Sequence, residues 1–325
     1  MSRPRILVSN DDGINAPGIK ALVGELVKAN FADVYVCAPS GERSAQSHAI
    51  TLGRYLSCVP ADPVPGVVEA YAVDGTPADS VMLALCSPVF QDITFDLVLS
   101  GINRGDNCGL HVIYSGTVGA AREAACKGIP AMALSLDNHL ARKPDDYALS
   151  ASLALPLVRA MLGLLPGQAA AAAPAADGQQ QEGQPAGRRP PAASLRGVVV
   201  NVNFPIGQGQ LLQGMYLARQ SIACVFPAFR EVREAPGPHL AEIDEHTPNS
   251  RVFRNYAGVV QEDQDEGGDA WALKNGWISV TPLSLLSHIP DQLDARTGSI
   301  RGALSEVVTR AAAEAGMACG GVSKL

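Results

Sequence analysis

The 325-residue chain contains seven cysteines, and no two of them form a CxxC pair. An odd number without close pairing argues against a disulfide framework. Cys37, Cys86 and Cys126 lie inside apolar segments and read as buried thiols of a reducing compartment. There is no HxxxH or Cys/His spacing to support zinc. No apolar run approaches the ~20 residues needed to cross a bilayer. The chain enters its first strand almost at once, leaving no room for a signal or transit peptide. A soluble, cytoplasmic protein without a membrane partner is therefore expected. Basic residues are also outnumbered: 25 Lys and Arg face 32 Asp and Glu, for a net charge of −7. That argues against binding duplex nucleic acid, while leaving small phosphorylated substrates open. With 47% apolar and 18% charged residues, the composition is globular, and the length allows a large core.

What is present is organised around Arg5-Ile-Leu-Val-Ser-Asn-Asp-Asp-Gly-Ile14. Ile6, Leu7 and Val8 form the short apolar run of a buried parallel strand. Asn10, Asp11 and Asp12 arrive at its carboxyl end, where open α/β sheets bind ligands. Two readings stand at this point: a divalent-cation site, or an Asx-rich turn capping the next helix. Ile19, Leu22, Val23, Leu26 and Val27 then keep helical spacing, with Pro17 near the helix start. Asp33 to Ala38 is a second strand, followed by a polar loop from Ser40 to His48. The segment from Ile50 to Val73 reads as an antiparallel excursion, with Val67 to Val73 its clearest strand.

Gly75-Thr-Pro-Ala-Asp79 opens a helix, with Thr76 as N-cap, Pro77 at N1 and Asp79 completing a short capping box. Asp96 to Ser100 is a third core strand, discharging into the glycine- and asparagine-rich loop Gly101 to Gly109. Ser115-Gly-Thr-Val begins another helix, whose free N–H groups suit an anion; an ordinary cap explains the same residues. Ile129 to Ser135 is a further strand and Asp145 to Leu165 a long helix. Residues 167–196 are low in bulky apolar side chains and read as a disordered surface insertion. It separates a Rossmann-like part, 1–166, from the remainder of the same domain, 197–325. That remainder has strands at Val198 to Pro205 and Gly276 to Pro282, and a last helix at Ile300 to Glu314. No internal repeat is found.

The loops 10–13, 40–47 and 100–109 should gather on one sheet edge, bringing carboxylates, hydroxyls and amides, all ligands for a hard cation. His48 and His111 are the histidines near this group. Metal-assisted hydrolysis of a phosphate ester follows, because a cation can bind phosphoryl oxygens and activate water. A haloacid-dehalogenase-type phosphatase is disfavoured, since it needs Asp-x-Asp and the acids here are adjacent. The rival from another class is a nucleotide-binding regulator with little or no turnover.

Five motifs in order carry a more specific likeness: Ser9-Asn-Asp-Asp-Gly13, the Ala38 to Thr51 segment with Glu42-Arg-Ser-Ala45, Gly75-Thr-Pro-Ala-Asp79, Ser100-Gly-Ile-Asn-Arg-Gly-Asp-Asn107 and Tyr114-Ser-Gly-Thr-Val118. With them the chain resembles the SurE family of survival-protein phosphatases, or 5′/3′-nucleotidases. The likeness is close over residues 5–140 and looser over 197–290. It departs at the 167–196 insertion and over 208–258.

The resemblance implies an α/β, Rossmann-like three-layer sandwich with a mostly parallel sheet. It also implies protruding C-terminal β/α elements used to form a homodimer or homotetramer. It further implies one Mg²⁺ or Mn²⁺ ion per subunit held by Asp11, Asp12, Ser44 and Asn103. Ser115, Gly116 and Thr117 would lie near the substrate phosphate, as would Asn10, Gly75, Thr76 and Arg104. Substrates would be nucleoside 5′- and 3′-monophosphates and short polyphosphate. Asp11, Asp12 and Asn103 are the expected catalytic group; which aspartate acts as base, and whether Arg104 acts at all, stays open here.

Overall fold

The structure, a computed structural model, describes residues 3–91, 93–164, 195, 197–205, 211–232, 251–285 and 293–321. Its first half is β1 (Arg5–Ser9), α1 (Pro17–Ala29), β2 (Asp33–Pro39), β3 (Cys58–Pro60), β4 (Glu69–Val73), α2 (Pro77–Cys86), β5 (Leu97–Arg104), α3 (His111–Tyr114), α4 (Gly116–Cys126), β6 (Ala131–Leu136) and α5 (Ala148–Met161). Its second half is β7 (Val198–Phe204), β8 (Gly214–Leu217), β9 (Cys224–Val232), β10 (Val252–Gln261), α6 (Asp269–Lys274), β11 (Trp277–Ser284), α7 (Leu293–Glu314) and β12 (Ala318–Gly320).

Ten strands form one sheet in the order β12-β8-β11-β7-β6-β5-β1-β2-β4-β3. The run from β4 to β7 is parallel; β3 and β11 pair antiparallel to their neighbours β4 and β7. Period-2 alternation divides the sheet into two apolar faces. Ile6 and Val8 of β1 belong to one apolar cluster with Leu22 of α1, Leu157 of α5 and Val308 of α7. Leu7, Val98 and Ala133 face Val81 of α2 and Val118 and Ala121 of α4. Helix, sheet and helix make the three-layer sandwich that the resemblance implied. Among the described residues no helix is long and apolar enough to cross a membrane.

Several boundaries differ from expectation. The strand expected to end at Ser100 continues to Arg104, because after an irregularity it pairs with β6 again, Asn103 to Ser135 and Arg104 to Leu136. Gly101 allows this: at φ +139 it passes Leu134, where a Cβ would lie 2.3 Å from the carbonyl oxygen. The helix expected at 145–165 is a short 3₁₀ turn followed by α5. α7 begins before the expected Ile300, in a polar stretch that apolar periodicity does not report. All seven cysteines are free, but only Cys37 of the three expected inside is buried. Cys86 and Cys126 are exposed, as the last residues of α2 and α4. The 167–196 insertion lies outside the described residues except at its end. Between β8 and α6, largely where the likeness departs over 208–258, β9 and β10 form a separate antiparallel two-stranded arm.

Candidate active site

The three loops do share one edge, because β2, β1 and β5 are adjacent and parallel. Their backbones are joined directly. Ile14 N–H donates to the Pro39 carbonyl (2.8 Å), Arg43 N–H to the Asp11 carbonyl (2.7 Å), and Arg104 N–H to a carboxylate oxygen of Asp12 (3.2 Å). A Cβ on Gly13 would lie 2.9 Å from the Gly41 backbone, and this turn has φ +100. Glycine therefore permits both the turn and the close approach of the second loop. Asn10 is fully buried, with its side-chain amide donating to the Gly13 carbonyl and accepting from the Gly13 N–H. Its polar atoms hold the turn that presents the two acids.

Asp11 is 3% exposed and lies against the start of α4. The Thr117 hydroxyl donates to its carboxylate, and so does the Thr117 backbone N–H. The Gly116 Cα has no room for a side chain, since a Cβ would sit 2.9 Å from Asp11 Cβ. Ser115 caps the helix by accepting from Val118 N–H (3.0 Å). The anion at this helix start is thus Asp11 itself. Burial, and then the neighbouring Asp12, push the Asp11 carboxyl up to about 7 despite the Thr117 contacts. Burial also raises Asp12. Among the described residues neither acid has a basic side chain within ion-pair distance. Asn103 is 9% exposed, its amide nitrogen donating to the Gly105 carbonyl (2.9 Å), which leaves the amide oxygen as its ligand atom. Two poorly solvated carboxylates and an amide oxygen are a donor set that fits a hard divalent cation.

The other expected residues are placed differently. Ser44 is exposed, and its hydroxyl donates to Glu42 (3.2 Å). The same Glu42 oxygen accepts from the Arg104 guanidinium (3.3 Å). Thr76 completes the capping box of α2, and its hydroxyl donates to the Ala49 carbonyl (2.6 Å). Gly75 packs beside Asp79, which also holds Thr51. Gly75 and Thr76 thereby knit the 49–51 segment to α2. The two histidines are each turned to a carboxylate, His48 to Glu123 (3.0 Å) and His111 to Asp106 (3.3 Å).

Two supporting residues, Asn107 and Asp269, were not among the expected site residues. Asn107 donates from its backbone to Asn203 (2.7 Å) and from its side chain to Ser135 (2.8 Å), and accepts from Asn201 (2.8 Å). It clamps the loop after Asn103 onto β6 and β7. The available signal was two asparagines at period 2 within an otherwise apolar strand. Asp269 is fully buried and accepts from the backbone N–H groups of Gly109, Ser221 and Ala270. Its partners Gly109 and Ser221 are 160 and 48 residues away in the chain, and no local pattern reports them.

A family model described as "Survival protein SurE" matches residues 6–225. A relative named 5′-nucleotidase SurE 1, from Thermus thermophilus, is 36% identical over 305 residues, covering 92% of this chain and 98% of its own. One named 5′-nucleotidase SurE, from Sorangium cellulosum, is 38% identical, covering 87% and 90%. The crystal structure of the SurE protein from Aquifex aeolicus superimposes with a TM-score of 0.60 at 28% identity, covering 91% of this chain and 98% of that one.

Proposed function

Since the chain belongs to the SurE family, we propose that it is a nucleotidase that hydrolyses nucleoside 5′-monophosphates to nucleoside and phosphate. The observation that carries this reading is the pair of buried Asp11 and half-buried Asp12 at the meeting point of three strand-end loops, with no basic side chain within ion-pair distance of either among the described residues. Extension to 3′-monophosphates and short polyphosphate, and a homodimeric or homotetrameric assembly, belong to the same proposal.

Asp11, Asp12 and Asn103 would hold one Mg²⁺ or Mn²⁺ ion, with Ser44 joining them by leaving Glu42. When bound, the ion supplies polarisation of a phosphoryl oxygen and a more acidic water. The chain's own groups do the rest. Asp11, fixed by Thr117, keeps its position while charge moves. Asp12 has one oxygen on Arg104 N–H, and its other oxygen is available to accept a proton from the attacking water. Arg104, released from Glu42, and the Gly116 N–H at the start of α4 would balance charge on the transferring group.

The deciding experiment is phosphate release from AMP by wild type and Asp12→Asn, with Mg²⁺ and with EDTA. The expected result is metal-dependent turnover that falls at least a hundredfold in the variant, with its circular dichroism and melting unchanged. Turnover near wild type in a folded Asp12→Asn protein would remove this carboxylate from the mechanism. Nucleotide binding without turnover in wild type would favour a regulatory role instead.

A further inference from the structure

The loop that carries Ser44 contains two residues in an unfavourable backbone conformation. Ala45 has φ +59 and Ser47 has φ +54, the left-handed region that a residue with a Cβ seldom adopts. Neither is glycine, asparagine or aspartate, so nothing local favours that geometry. Such a conformation persists where surrounding contacts impose it, and it gathers at functional sites. Ser44, Ala45 and Gln46 make hydrogen bonds only within residues 42–49 among the described residues. Upstream, the loop is tied by Arg43 N–H to the Asp11 carbonyl. Downstream, the fastening falls to Ser47 and His48.

Both are held by the α3–α4 segment. Ser47 N–H donates to the Tyr114 carbonyl (2.9 Å), and His48 Nε2 lies 3.0 Å from a carboxylate oxygen of Glu123. A carboxylate only accepts, so the imidazole proton facing it is on Nε2. α4 makes room for the loop at Gly119, where a Cβ would lie 2.0 Å from the Ser47 carbonyl oxygen and 3.1 Å from His48 Cα.

Glu123 is the member that packing does not explain. It is 6% exposed, in a helix whose Ala120, Ala121, Ala124 and Ala125 are also buried. A buried carboxylate is costly unless paired, and another alanine would serve packing alone. Its second oxygen faces Lys127 at 3.7 Å. The same helix fixes Asp11 through Thr117, nearly two turns earlier and about 9 Å along the axis. One rigid element thus reaches two of the three loops, the first through Thr117 and the second through Glu123.

We propose that His48 and Glu123 are a positioning pair that holds the second loop in its strained form and so presents Ser44 to the cation at Asp11 and Asp12. The inference rests on the cation site of the nucleotidase reading. Both residues act through residues 44–47 and are not themselves ligands.

The test compares wild type with His48→Ala, His48→Gln and Glu123→Gln. Glutamine at 48 carries an N–H that reaches about as far as the imidazole, and glutamine at 123 keeps an acceptor oxygen. In His48→Ala, Mg²⁺ affinity by calorimetry is expected to fall about tenfold, the worth of a hydrogen bond to a charged group. In the same variant with EDTA, amide exchange at Ser47 should rise about tenfold while the centre of β1 stays protected. Both glutamine variants should retain most of the wild-type affinity and protection. Unchanged affinity in a folded His48→Ala protein overturns the pair, whether or not exchange at Ser47 is faster. His48→Gln behaving like His48→Ala would assign the effect to packing and also overturn it. A wild type that binds Mg²⁺ but releases no phosphate from AMP rejects the nucleotidase reading, while affinity and exchange still decide the pair. A wild type that binds neither Mg²⁺ nor Mn²⁺ overturns both.

Discussion

Asp11 and Asp12 are neighbours in sequence but are held in different ways, and the difference makes predictions at the scale of single side chains. Asp11 is inside the protein, with a carboxyl raised from 3.8 to about 7. A folded-state value above the unfolded one means the folded protein keeps a proton that the unfolded chain releases. The resulting stabilisation is complete below about pH 4 and is lost as pH rises towards and through about 7. Metal-free protein is therefore expected to melt lower at pH 8 than at pH 5 on this account. Added Mg²⁺ should raise the melting temperature far more at pH 8, where the carboxylate is charged and available. Thermal melts at both pH values, with EDTA or Mg²⁺, check the sign. Thr117 offers a second test. Thr117→Val removes a hydroxyl that donates to Asp11, and a hydrogen bond of about 1.4 kcal/mol is a factor of ten in binding. Mg²⁺ affinity by calorimetry is expected to drop about tenfold, and Thr117→Ser to restore most of it.

Two element contacts set the geometry of the loops. α4 approaches the second loop so closely that a Cβ on Gly119 would lie 2.0 Å from the Ser47 carbonyl oxygen. Ordinarily Gly→Ala within a helix stabilises by about 1 kcal/mol. Here Gly119→Ala should instead lower the melting temperature and weaken Mg²⁺ binding, because the displaced loop carries Ser44. A variant with higher stability and unchanged affinity would contradict this contact. The second element is the β9–β10 arm, rooted where His111 Nε2 accepts Val225 N–H. His111→Ala is expected to raise amide exchange at Val225 at least tenfold while leaving the centre of β1 protected. The arm carries exposed Phe229, Phe253 and Val259, a surface consistent with the proposed subunit contacts.

At the scale of the whole molecule, one sheet takes strands from both stretches on either side of 167–196. β7 inserts between β6 and β11, so the sheet is continuous across that boundary. Asp269 accepts from Gly109, 160 residues away, and Asn107 bonds to Asn201 and Asn203 of β7, so that both tie the loop after Asn103 to the second stretch. Asp269→Ala leaves two buried N–H donors, of Gly109 and Ser221, without their acceptor, at about 1–3 kcal/mol each, and frees the part-buried Ala270 N–H as well. A loss of about 3 kcal/mol or more in urea unfolding is expected, with nucleotidase activity falling in parallel because Gly109 belongs to the loop after Asn103.

Much of this was legible in the residues. Apolar runs and their periods marked the strands β1, β2, β5, β6, β7 and β11 and the helices α1, α2 and α4, because burial on one or two faces of a regular element writes its period into the chain. The capping box at Thr76 and the serine cap at Ser115 were legible because caps are made within four residues. Adjacent acids at a strand end marked the candidate cation site for the same local reason. Strand order, and with it the meeting of three loops at Asp11 and Asp12, was inferred from fold logic and observed only in three dimensions. What tertiary structure alone decided was the partner of each polar group. It set Thr117 on Asp11, Arg104 on Glu42, Asn107 on β6 and β7, and Asp269 on Gly109. Such pairings join positions up to 160 residues apart. A hydrogen bond needs only proximity and direction, and those exist once the sheet has folded.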